Sequence, residues 1–70
     1  MARNPAWTPV RGDRLLKVGT KGALERTVES VDKANGRMVF SAKGKLYTTS
    51  FKIWRTWAAD ARVVYIADST

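Results

Sequence analysis

Four lysines and one tyrosine carry the clearest chemistry in this chain: Lys17, Lys21, Lys43, Lys45 and Tyr47. Ammonium groups neutralise phosphates, and the counterions they release drive association with a polyanion. An aromatic ring two residues beyond Lys45 can stack on a base. The whole chain has the same bias, with thirteen Lys and Arg against six Asp and Glu and a net charge of +7 over 70 residues. A balance of that kind favours DNA, RNA or an acidic protein surface as partner. No recognition helix and few polar base readers stand beside these lysines. Contact would therefore fall on phosphate and shape, not on base sequence. The competing reading is that Lys43-Gly44-Lys45 is only a well-solvated hairpin turn.

Other chemistries are short of residues. Histidine and cysteine are both absent, which removes the commonest general base and the soft metal ligands. The acids are Asp13, Glu25, Glu29, Asp32, Asp60 and Asp68. Glu25 and Glu29 have basic neighbours, so solvated pairing is their expected role. Neither a Gly-x-Ser-x-Gly turn nor a glycine-rich phosphate loop is present. The chain is expected to be no enzyme and to hold no metal or cofactor. No apolar run approaches the roughly 20 residues of a membrane span, and the N-terminus has no signal-peptide core. A cytoplasmic protein without membrane contact is the expectation.

The elements that must position these groups follow from pattern. Phe51, Trp54, Trp57, Ala58 and Ala61 lay one apolar stripe along a helix over 50–61, and Ser50 stands ready to cap it. A helix of about three turns cannot bury two indoles alone, so it must lie against strands. The strands are expected at Arg14–Val18, Leu24–Asp32, Arg37–Ala42, Leu46–Thr49 and Arg62–Ala67. In the first, Leu16 and Val18 share one face, and Leu15 and Lys17 the other.

Asn35-Gly36 marks a hairpin. A two-residue turn would pair Val31 with Phe40 and Glu29 with Ala42. A three-residue loop, with Gly36 left-handed, would pair Lys33 with Arg37, Ser30 with Phe40 and Val28 with Ala42. The second is preferred, because it puts Met38, Phe40, Ala42 and Val28 on one inner face and Glu29, Ser41, Thr27 and Lys43 on the outer one. Arg26 has the parity of Val28, so the second strand is expected to bend, bulge or end there. Residues 1–11 hold both prolines and read as an extended or partly disordered arm. Its Trp7 either packs over an open end of the core or stands exposed between Arg3 and Arg11 as a stacking ring. Residues 12–67 form the domain and 68–70 a tail.

Four short strands, a helix and a last strand resemble the SH3-like barrel shared by Tudor, Sm-like and KOW domains. Gly12-Asp13-Arg14 looks like the opening of such barrels. The resemblance covers residues 12–67, is one of topology, and implies a five-stranded barrel. The tryptophan-bearing helix is longer than the 3₁₀ turn usual there. An OB-like barrel is the alternative, although its helix usually lies between the third and fourth strands. The phrase Ser50…Trp54-Arg55-Thr56-Trp57-Ala58…Ala61 is similar to small bacterial and phage proteins. The acidic loops and paired aromatics with which signalling SH3 domains hold proline-rich peptides are not evident. Neither is the Val-Gln-Ile-Tyr motif of the dihydrofolate reductase that is built on such a barrel.

In a meander the turns near 19–23 and 43–45 share one end, which gathers Lys17, Lys21, Lys43 and Lys45. The other end gathers Arg11, Lys33, Arg37, Lys52 and Arg55, diluted by Asp13 and Asp32. The first end is the expected nucleic-acid site. A protein-interaction module, acting as adaptor, inhibitor or homo-oligomer, is the alternative. It would be favoured if Leu15, Val31, Val39 and Val63 lay exposed together. Trp57→Ala is expected to cost about 3–5 kcal/mol if the helix packs on the strands.

Overall fold

Five antiparallel strands and one short helix make up the described residues, 4–67, in a computed structural model of the protein. The strands are β1 (Arg14–Gly19), β2 (Gly22–Asp32), β3 (Arg37–Ala42), β4 (Lys45–Ser50) and β5 (Arg62–Tyr65), with α1 (Phe51–Ala58) ahead of β5. They form one sheet in the order β4-β3-β2-β1-β5. Among the described residues β4 and β5 do not pair, so the sheet is not closed into a barrel. No helix among the described residues is long and apolar enough to cross a membrane.

The core is small and aromatic. Leu15, Val28, Met38, Phe40, Ala42, Trp54 and Ala58 are buried together, with Leu24, Val31, Phe51, Trp57 and Ala61 packed against them. The helical stripe is the one its spacing predicts. Ser50 is extended, and its Oγ accepts the Ile53 N–H at 3.2 Å, satisfying a first-turn donor. The helix stops at Ala58, three residues short of the predicted end. The chain needs those residues to turn so that Arg62 can pair with Leu16.

The hairpin between β2 and β3 follows neither predicted register. Its loop is four residues, Lys33–Gly36, with Asp32 opposite Arg37 and Val31 opposite Met38. Gly36 has φ +65°, the left-handed backbone expected there. The strand then bulges between Val28 and Ser30, and Val28 meets Phe40. The four-residue loop is the reason that both simple registers fail, and the bulge then shifts the pairing by one residue more. Val28 and Val31 are an odd number of residues apart, yet both turn inward opposite Met38 and Phe40, which are an even number apart. One extra residue, Glu29, absorbs the mismatch. Its Oε2 accepts the Ser41 hydroxyl at 2.7 Å.

Asp32 holds the loop. Its Oδ2 accepts the Asn35 side-chain N–H at 2.7 Å and its Oδ1 the Asn35 backbone N–H at 3.3 Å. The side-chain bond is the main cause that holds the carboxyl below its ordinary value. Desolvation opposes it, while the backbone N–H groups of Asn35 and Ala34 and the charge of Arg37 add to it. The folded value lies below the unfolded one, so the carboxylate's contribution is present above about pH 4 and is lost as pH falls through the folded value. An NMR pH titration should therefore show the Asp32 carboxyl carbon and the Asn35 side-chain amide moving with one common midpoint below that of an aspartate in a short peptide. A midpoint at the peptide value would remove Asp32 from the loop.

Asp13, read as part of a turn, is a buried structural residue with 0% exposure. Its Oδ2 accepts the Val10 N–H at 2.9 Å and its Oδ1 the Ala67 N–H at 2.8 Å. Its backbone carbonyl accepts from Val28, while Gly12 N–H donates to the Val28 carbonyl. The N-terminal segment is likewise packed. Pro5, Ala6 and Pro9 are buried, and the Trp54 indole N–H donates to the Pro5 carbonyl at 3.0 Å. Trp7 does not close the core: it is 62% exposed, with the Arg55 guanidinium 4.9 Å from its ring centre. Arg3 and the tail over 68–70 lie outside the described residues.

Candidate functional site

The two turns predicted to share an end do meet. β3 and β4 are joined by Lys43-Gly44 alone, since Ala42 pairs with Lys45. Both turn residues have positive φ, +52° at Lys43 and +78° at Gly44. That is the backbone of the two-residue hairpin turn whose twist matches its strands, and Asn-Gly is its usual sequence. Lysine in this conformation is strained by about 1–2 kcal/mol, because its Cβ crowds the following carbonyl. Among the described residues Lys43 is the one non-glycine residue with positive φ.

Lys43 reaches across to the turn between β1 and β2. With Lys17, Lys21 and Leu24 it lines an open recess of about 430 Å³. Lys17 also holds the helix end: its Nζ donates to the Trp57 carbonyl at 3.4 Å and lies 5.7 Å from the Trp57 ring centre. Lys45 starts β4 and is exposed, but lines neither this recess nor the next. Tyr47 lines the next one, a recess of about 320 Å³ shared with Leu24, Arg26, Phe40, Ala42 and Lys43.

Arg26 is the residue that sequence reasoning missed. Its parity places it on the inner face, where the strand is expected to bend, bulge or end. β2 stays paired with β1 through Arg26, which lies opposite Leu15, and its bulge falls two residues on, between Val28 and Ser30. The guanidinium lies over two rings, 4.4 Å from the Phe40 centre and 4.2 Å from the Trp57 centre. Two aromatic faces offset much of the cost of removing the charge from water, each contributing roughly 0.5–2 kcal/mol. Its Nε is buried without a hydrogen-bond partner. Burial pulls the guanidinium below its ordinary value, and the Tyr47 hydroxyl opposes that. Arginine stays charged regardless. The signal was present in sequence: an arginine in register with Val28, in a chain with three tryptophans to cover it.

The rings continue the arrangement. Phe40 stacks on Tyr47 at 5.4 Å and 22°, and Trp54 sits at a tilt to both Phe40 and Trp57 at 5.7 and 5.4 Å. Offset and tilted contacts of this kind are the favourable ones for aromatic pairs. The site is thus a run of rings and cations along one end of the sheet, from Lys17 and Trp57 through Arg26 and Phe40 to Tyr47. No group of three or more acids among the described residues is arranged to hold a metal ion.

The outer apolar patch named as the mark of a protein interface does not assemble. Leu15 is 0% exposed and belongs to the core, and Val31 packs against it, so neither can join Val39 and Val63 outside. No family model matches the chain, and no curated protein or solved structure matches it.

Proposed function

We propose that this protein is a small, basic, non-enzymatic binding module that holds DNA or RNA through its phosphate backbone, at the end carrying Lys17, Lys21 and Lys43 with Lys45 and Tyr47 beside them. Such a module would act in the cytoplasm, on nucleic acid directly or as a regulator of a nucleic-acid machine. The observation that carries the reading is Lys43. A turn that suits Asn or Gly holds a lysine at positive φ, and that lysine lines both recesses. Strain kept at one exposed position is a pointer to function. The cations around it share one end with exposed Tyr47, the combination that backbone-tracking sites use. The strand order and the helix ahead of β5 support an SH3-like barrel as the parent architecture.

The test joins stability to binding. Lys43→Asn should raise stability by about 1 kcal/mol, because Asn tolerates the left-handed backbone. The same variant should weaken binding and flatten the dependence of log affinity on log salt by about 0.7–0.9, the loss of one phosphate contact. Urea melts and fluorescence anisotropy with a labelled oligonucleotide measure both. Absence of binding to any nucleic acid at low salt would reject the reading.

One observation favours a protein partner instead. β5 is an edge strand whose Val63, Val64 and Tyr65 are exposed, as is Ile66 after it. An apolar edge can add a strand from another chain. A concentration-dependent mass in sedimentation, with no affinity for nucleic acid, would support that reading.

A further inference from the structure

We infer that the recess beside Arg26 takes one unstacked nucleotide, so that the nucleic acid bound is single-stranded. The inference rests on the proposed function and narrows it. The recess, about 320 Å³, is lined by Leu24, Arg26, Phe40, Ala42, Lys43 and Tyr47. That volume is at the lower end of small-ligand sites, enough for one base and not for a base pair inside its helix. Its lining divides into two chemistries. Arg26 and Lys43 offer cationic N–H groups to a phosphate, and Tyr47 and Phe40 offer ring surface to a base.

Tyr47 is where the base would go. Phe40 covers one face of its ring. β4 is the last strand on its side of the sheet, and Tyr47 keeps 45% of its surface exposed. A base laid on the ring's other face would continue the run of rings by one plane. In a duplex the base faces are already covered by their neighbours, so only an unpaired strand can supply one. Arg26 supplies the second argument. A Met or Leu at this inward position would fill the space without partly desolvating a charge, as the half-buried Arg26 does. What the guanidinium adds is an anion contact inside an aromatic setting, where low local dielectric strengthens it.

Anisotropy with end-labelled single-stranded DNA, single-stranded RNA and duplex DNA of equal length, at one salt concentration, tests this. Either single strand should bind at least about tenfold more tightly than the duplex, and removing the stacked base should weaken it roughly 5- to 100-fold. Tyr47→Ala should reproduce that loss for single strands while leaving the salt dependence unchanged. Arg26→Met should lower single-strand affinity and flatten the salt slope by about 0.7, with circular dichroism checking that the variant stays folded. A single strand carrying abasic sites makes the Tyr47 test on the unaltered protein. Equal affinity for single strand and duplex, or indifference to the missing bases, would overturn the inference and leave a phosphate-binding module standing. No binding of any of the three would overturn both.

Discussion

Trp54→Ala is expected to remove about half or more of the protein's folding stability. Trp54 is the largest fully buried side chain among the described residues, with 0% exposure. It touches the rings of Phe40 and Trp57. Truncating such a residue costs about 3–5 kcal/mol through lost transfer energy and the cavity left behind. The Pro5 carbonyl also loses its donor, which adds about 1 kcal/mol. A domain of this length has roughly 4–10 kcal/mol of stability in all. Trp54→Phe should keep most of the packing and lose the indole bond, and so melt between the two. Circular dichroism through a thermal scan separates the three proteins. A Trp54→Ala variant that melts with wild type would mean the helix does not pack on the sheet. The same substitution at Trp57 should cost less, since Trp57 is only half-buried and part of its contact is with the Arg26 guanidinium.

Asp13→Ala is the second large effect, at about 3 kcal/mol or more. The carboxylate accepts from Val10 and from Ala67, and neither bond is longer than 2.9 Å. A hydrogen bond to a charged group contributes roughly 1.5–3 kcal/mol, and a buried donor left without its acceptor costs its full desolvation. Alanine would remove both acceptors at once. Asp13→Asn has the same shape but only one acceptor oxygen, so its amide must turn N–H toward one of the two donors. It should recover less than half of the loss. Urea denaturation of both variants measures this, and hydrogen exchange at Val10 and Ala67 locates it. Unchanged exchange at both amides would show that Asp13 is not what holds them.

Much of the fold was legible because local patterns and global packing agree. The helix cap at Ser50, its apolar stripe, the strand β3 to the residue and the left-handed Gly36 all follow from local rules. The convergence of the two lysine turns follows from strand order. What was not legible has one physical source. Parity along a strand assumes an unbroken period of two, and β2 breaks it at Glu29, where a bulge reconciles two inward residues spaced oddly. Position 26 deceived for a related reason. An inward arginine looks like an error in a strand until two rings from distant segments, Phe40 and Trp57, are placed over it. Asp13 was invisible for the same cause: one of its partners is 54 residues away. The candidate site was therefore half readable. Its lysines come from turns, which are local, whereas its arginine and rings come together only through tertiary contact.

The clamp at Asp13 also fixes an order of events. β1 lies between β2 and β5, and the hairpins β1–β2, β2–β3 and β3–β4 each close over a few residues. The contacts that finish the molecule span nearly the whole chain: Pro5 to Trp54 at a separation of 49, and Asp13 to Ala67 at 54. Long closures are entropically costly and come late. The meander is therefore expected to form before its two ends are tied, and the tie to act mainly as a brake on unfolding. On that expectation the lifetime of the folded state would be set at the seam that joins residues 5 and 13 to residues 54 and 67, and the speed of reaching it in the turns, among them the strained one that carries Lys43.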